Sequence, residues 1–276
     1  MAFPFPDVST SSLTELLSLE GRVAVVTGAA QGLGRAIAHR LAEAGAHLAV
    51  ADLSLAESER AAAAIAERHH VDALGVQLDV TDEASVIEAV DRVVAELGGV
   101  DIWVNNAGVF PSVPAAEMTL EAWEQVFAVN SRGVFLGART AARQMAGTGG
   151  VIVNVVSTAG FGAPAPGLAA YVGSKHAARG ITKALALELA PAGIRVLGVA
   201  PTYVPTEGNM AMAAATAERA AAAGAEVSPM DVMSQSLIGR LGTPDDIARV
   251  VLFAASDLAM IMTGSTLLAD AGETIG

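Results

Sequence analysis

Two kinds of apolar pattern alternate along the chain. Short runs with an apolar centre fall at 22–27, 47–51, 73–78, 101–105, 151–157, 194–200 and 265–270. A run without polar alternation marks a strand covered on both faces. Between these runs, apolar residues recur every three or four positions, which predicts helices over 33–44, 55–69, 83–97, 120–144, 170–190 and 244–254. Strand and helix in strict alternation predict a single α/β domain with a doubly wound, seven-stranded parallel sheet and helices on both faces. No internal repeat period stands out.

Two segments break the alternation. Residues 1–18 carry Pro4, Pro6 and a Ser/Thr run at 9–12, and are read as a flexible arm before a domain spanning 19–276. The stretch 206–240 is read as a substrate-covering lid. Its alanine-rich part, 211–223, favours helix, and Gly224, Ser228 and Pro229 interrupt it. Met210, Met212, Met230 and Met233 supply flexible apolar groups there.

The first strand runs into Thr27-Gly28-Ala29-Ala30-Gln31-Gly32-Leu33-Gly34 and then a helix. Strand, glycine turn and helix form the context of a dinucleotide-binding fingerprint, so the domain is expected to be of Rossmann type. Gly28 makes the tight turn, Gly32 lets the backbone approach a pyrophosphate, and Gly34 lets helix and sheet pack closely. Gln31 and Leu33 complete the candidate turn, and free helix N–H groups favour the phosphate charge. The second strand ends at Asp52, placed to accept hydrogen bonds from the two ribose hydroxyls. Its charge repels a 2′-phosphate, and neither Gln31 nor Leu53 is basic, which favours NAD over NADP.

Tyr171 and Lys175 stand four residues apart, on one face of a predicted helix, with Ser157 upstream. A phenol titrates near about 10 and is a poor base at neutral pH. A cation held beside it favours the phenolate. Ser157 can polarise a carbonyl as a neutral donor. A hydrolytic role for it would need a histidine base, and His39, His47, His69, His70 and His176 have no clear motif partner.

Taken together, the glycine turn, Asn105-Asn106-Ala107-Gly108, Asn130, Ser157 and the Tyr171/Lys175 pair resemble the short-chain dehydrogenase/reductase family, over about residues 19–272. The resemblance implies a catalytic tetrad: Tyr171 as acid/base, Lys175 lowering its pKa and holding the nicotinamide ribose, Ser157 bonding the substrate oxygen, and Asn130 positioning a relay water. It further implies that Asp79 and Val80 contact adenine and that Asn106, Ala107 and Gly108 line the cofactor. Asn105 instead ties strands together. Pro201-Thr202-Tyr203-Val204-Pro205-Thr206 resembles the family's Pro-Gly-x-Val-x-Thr segment, so Pro201, Val204 and Thr206 are expected at the nicotinamide carboxamide. Thr202 departs from the family's glycine.

Composition narrows the reading. Formal charge is −13, which argues against nucleic acid as a partner. No apolar run is long enough to span a membrane. The N-terminal stretch lacks the pattern of a signal peptide, and a cytoplasmic location is expected. There is no cysteine, so disulfides, thiolate catalysis and cysteine metal sites are excluded, and no metal site is expected. Val109, Phe110, Phe161 and Tyr203 are candidate pocket residues with few charges among them. The expectation is an NAD-dependent oxidoreductase acting on an uncharged secondary alcohol or ketone, assembled as a homotetramer as is common in the family. The alternatives are an NADPH-dependent carbonyl or 3-oxoacyl reductase on the same fold, and an NAD(H)-sensing protein without turnover.

Overall fold

The computed structural model describes residues 5–210 and 236–275. Seven strands form one sheet: β1 (Val23–Thr27), β2 (His47–Asp52), β3 (Ala73–Gln77), β4 (Ile102–Asn105), β5 (Gly150–Val155), β6 (Ile194–Pro201) and β7 (Thr266–Ala269). Every neighbouring pair is parallel, in the order β3-β2-β1-β4-β5-β6-β7. The chain winds outward from β1 through β2 to β3, then crosses back to β4 on the other side. That reversal leaves a crevice beyond the carboxyl ends of β1 and β4, where such sheets bind ligands.

Among the described residues, the α-helices with both ends described are α1 (Leu13–Leu17), α2 (Gly32–Glu43), α3 (Leu55–His69), α4 (Glu83–Leu97), α5 (Leu120–Phe127), α6 (Val134–Gln144), α7 (Ala169–Leu189) and α8 (Pro244–Ala255). Strand β1 is buried along its whole length because both faces are covered. Ala24 and Val26 pack in one layer with Ile37 and Leu41 of α2 and Val251 of α8. Val23 and Val25 pack in the other with Val86 of α4, Leu136 of α6 and Leu185 of α7.

Helix ends follow local chemistry. Ser54 and Asp82 accept the N-terminal hydrogen bonds of α3 and α4, and left-handed residues end those helices at His70 and Gly98. Within the expected arm, Ser12 and Glu15 form a reciprocal capping box that starts α1. Thr243 and Asp246 do the same for α8, and Arg40 of α2 binds Asp245 through two hydrogen bonds of 2.5 and 2.9 Å.

One expected helix is corrected. The stretch 120–144 is not a continuous α-helix, because Ala128–Gly133 forms a π-helical turn between α5 and α6. Asn130 and Ser131 sit in that turn and are buried. The alanine-rich part of the expected lid lies outside the described residues.

Candidate active site

A cleft of about 460 Å³ opens at the carboxyl edge of the sheet. Gly28, Gln31, Gly32, Leu33 and Gly34 line it from the β1–α2 turn, Asp52 from β2, Asp79 and Val80 after β3, and Asn106, Ala107 and Gly108 after β4. Ser157, Tyr171, Lys175, Pro201, Val204 and Thr206 line its other end. Of the expected catalytic and cofactor-binding residues, Asn130 alone does not line the cleft; it is fully buried.

The glycine turn fits a dinucleotide. Gly28 adopts φ +63°, and a side chain there would press on Ala107 at 3.0 Å. At Gly34 an added Cβ would fall 2.2 Å from the Gly28 carbonyl oxygen. The first turn of α2 therefore packs directly against the glycine turn. The Asn106 amide Nδ2 donates to Thr27 O (2.9 Å) and Gly28 O (3.1 Å). It thus holds the turn's shape while lining the cleft. Thr27 Oγ1 accepts from the N–H groups of Asn106 and Ala107, both at 3.0 Å. The Asp52 carboxylate accepts from Ala30 N (3.1 Å) and Leu53 N (2.8 Å), which fixes it at the mouth of the cleft. Asp79 Oδ1 accepts from Thr81 N (2.8 Å) and Thr81 Oγ1 (2.7 Å).

A buried polar chain sets α7 against the sheet. Trp103 Nε1 donates to Asn105 Oδ1 (2.8 Å), Asn105 Nδ2 to Asn154 Oδ1 (2.9 Å), and Asn154 Nδ2 to Thr182 Oγ1 (2.9 Å). Asn105 therefore links strands, as expected. Nearer the cleft, Asn130 Nδ2 donates to Ser174 Oγ (3.0 Å), which donates in turn to Tyr171 O (2.7 Å). Ser131 Oγ donates to Ser174 O (3.1 Å). The π-turn thus grips the turn of α7 that carries Tyr171 and Lys175. Such turns inside helices recur at functional sites.

Lys175 is 4% exposed, and its Nζ donates to Val155 O at 2.9 Å, where β5 ends. Burial lowers its pKa to about 8. Nζ lies 5.7 Å from the Tyr171 ring centroid. Two influences act on the Tyr171 phenol itself. Packing around the phenol is the larger influence and pushes its pKa up, while the hydrogen bond with Ser157 works in the opposite direction.

The apolar wall contains Val109, Phe110, Val156 and Val204. Phe110 meets Tyr171 edge-on, with centroids 6.1 Å apart. Two pocket candidates lie elsewhere. Phe161 packs under the Arg179 guanidinium at 3.9 Å, and neither it nor Tyr203 lines the cleft. Gln125 and Asn209 do line it and were not expected. No sequence motif marks Gln125, whereas Asn209 follows Thr206 closely and donates from Nδ2 to Val204 O at 2.5 Å. Among the described residues, no helix is long and apolar enough to cross a membrane.

Comparison with known proteins agrees with this geometry. A family model described as short chain dehydrogenase matches residues 22–217. The 4-formylbenzenesulfonate dehydrogenase of Comamonas testosteroni is 40% identical over 94% of this chain and 100% of its own length. The D-threitol dehydrogenase of Mycolicibacterium smegmatis is 39% identical over 93% of this chain and 94% of its own. Among solved structures, a gluconate 5-dehydrogenase from Burkholderia cenocepacia in complex with NADP and tartrate superposes with a TM-score of 0.86. It is 31% identical, and the match covers 96% of this chain and 100% of that one. The chain therefore belongs to the short-chain dehydrogenase family of oxidoreductases, which work with a nicotinamide cofactor and include dehydrogenases of alcohols.

Proposed function

We propose that the protein is an NAD(H)-dependent dehydrogenase that interconverts uncharged secondary alcohols and ketones. The observation that carries the reaction is the convergence of Ser157, Tyr171 and Lys175 at one end of a cleft whose other end holds the glycine turn and Asp52. When bound, the nicotinamide supplies the hydride acceptor or donor. Ser157 Oγ orients the substrate oxygen, and Tyr171 Oη moves the proton to or from it. Lys175, largely protonated at neutral pH even with its pKa near 8, holds positive charge beside the phenol. Asn130 acts behind the cleft by fixing α7 and the chain at Val109. In the resting site the phenol is protonated, ready to donate to a developing alkoxide.

NAD preference rests on Asp52 at the cleft mouth, with Leu53 beside it and no base at Gln31. An NADPH-dependent reductase is the second reading, favoured by the NADP carried by the Burkholderia structure. Binding of NADH and NADPH, followed by turnover on neutral ketones and alcohols, separates the two. Tyr171→Phe is expected to reduce kcat/KM by about 10²-fold or more while leaving NADH affinity within about threefold. Full activity in that variant overturns the assignment, and NADH binding without turnover on any substrate favours a sensor.

The apolar wall and the scarcity of charge support an uncharged substrate, closer to the polyol named for the Mycolicibacterium relative than to the sulfonate of the Comamonas one. A homotetramer is proposed as well, supported by Trp123, Phe135 and Leu187 exposed on α5, α6 and α7. A monomer by light scattering refutes it. A cytoplasmic site of action is part of the same proposal, and fractionation of the source cells tests it.

A further inference from the structure

The C-terminal tail folds back onto the substrate end of the cleft. Asp270 accepts from Gly272 N (3.1 Å), Thr274 N (3.0 Å) and Thr274 Oγ1 (2.7 Å), which turns the chain just beyond β7. That turn brings part-buried Glu273 against two threonines. Thr202 Oγ1 donates to Glu273 Oε2, and Thr158 Oγ1 donates to Oε1 at 3.5 Å. Thr202 lines the cleft. Thr158 is buried and directly follows Ser157. One carboxylate therefore spans the two chain segments that flank the expected substrate oxygen: the end of β6 and the turn after β5.

This contact accounts for Thr202. The family segment that it departs from carries a glycine, which has no hydroxyl to offer a carboxylate. Here the hydroxyl and the tail carboxylate are partners. Lys175 is the only cation among the described residues lining the cleft, and its ammonium is bonded to Val155 O. That ammonium keeps its charge beside the phenol, but no ion pair joins it or any other described residue to Glu273, whose carboxylate partners are the neutral Thr158 and Thr202 hydroxyls.

We propose that Glu273 is a specificity-determining residue that makes the substrate end of the cleft select uncharged alcohols and ketones over those bearing a carboxylate or sulfonate. The inference rests on the dehydrogenase reading above and supplies its charge preference with a residue. A fixed negative charge one hydrogen bond behind the wall repels an anionic substituent, and the partly desolvated site screens that repulsion less than bulk water does.

The test uses the full-length protein and the neutral ketone it reduces fastest, in two matched forms bearing either a carboxamide or a carboxylate. Wild type is expected to favour the carboxamide by about tenfold or more in kcat/KM. Glu273→Gln brings the ratio toward one, chiefly through KM of the carboxylate, while Glu273→Asp preserves it. In wild type the preference also narrows as ionic strength rises. Equal turnover of both forms by wild type at low salt, or an unchanged ratio in Glu273→Gln, overturns the proposal. If no ketone turns over although NADH binds, the dehydrogenase reading is what fails. Calorimetric binding of the two forms to the NADH complex then reads the same ratio, and equal affinities overturn the proposal.

Discussion

Asn130 pairs with the backbone of Val109 in both directions. Its Nδ2 donates to Val109 O at 2.7 Å, and its Oδ1 accepts from Val109 N at 2.9 Å. A side chain in a π-turn thus imitates a neighbouring strand and fixes the chain just after Gly108, next to Lys175. A Cβ at Gly108 would lie 3.3 Å from Asn130 Oδ1 and 3.7 Å from Lys175 Nζ.

Asn130→Ala removes these bonds and the one to Ser174, leaving buried polar groups unpaired. We expect a loss of about 2–3 kcal/mol in stability and a fall in kcat larger than any rise in KM. Urea unfolding with steady-state kinetics checks both. A variant as stable and active as wild type would sink the assigned role.

The titration of Tyr171 can be isolated because the chain has only two tyrosines. Burial raises its phenol above the ordinary value of 10.0 in the cofactor-free protein. The difference in phenolate absorbance between wild type and Tyr171→Phe should appear only above pH 10. A transition at lower pH would mean that the Lys175 charge outweighs burial.

Asp52→Ala combined with Leu53→Arg removes the carboxylate at the cleft mouth and adds a cation beside it. The ratio of NADPH to NADH affinity should rise by about tenfold or more. Fluorescence titration of both nucleotides reads this directly, and an unmoved ratio would show that Asp52 does not set the preference.

Gly34→Ala places a methyl group 2.2 Å from Gly28 O and 2.5 Å from Asn106 Nδ2. Overpacking of this kind costs about 1–3 kcal/mol. Because the strain lands on the glycine turn, NADH affinity should fall as well as Tm. A variant that melts earlier but binds NADH normally would separate the turn from cofactor binding.

His39 Nδ1 and His69 Nε2 lie 3.0 Å apart between α2 and α3. Burial lowers the pKa of both from 6.5. The unfolded chain therefore takes up protons first as pH falls, so this pair's contribution is full above 6.5 and is lost progressively below it. The urea midpoint should drop between pH 7 and pH 5, and His39→Gln should flatten that drop. An equal drop in the variant would place the effect elsewhere.

Local pattern was enough for the strands and for most helix limits. Apolar runs marked all seven strands to within two residues at either end. The limits of α3 and α4 coincide with expectation, since Ser54, Asp82 and Gly98 signal them chemically. The glycine turn, Asp52 and the Tyr171/Lys175 spacing were legible for the same reason: each is a short-range arrangement whose geometry follows from strand and helix periods. The π-turn was not, because one extra residue in a helical turn leaves the apolar recurrence nearly intact.

What only the tertiary structure decided involves partners far apart in the chain. Asn106 turning its amide to Thr27 and Gly28, the commitment of Lys175 to Val155, and Glu273 bridging Thr158 and Thr202 join residues separated by 20 to 115 positions. The sequence alone determined which chemical groups the chain carries and which strand or helix bears each. Folding decided which groups meet and how deeply they are buried, and hence that burial pushes the Tyr171 phenol upward. Desolvation and hydrogen-bond geometry depend on distances that are set when the sheet and its two helical layers close together.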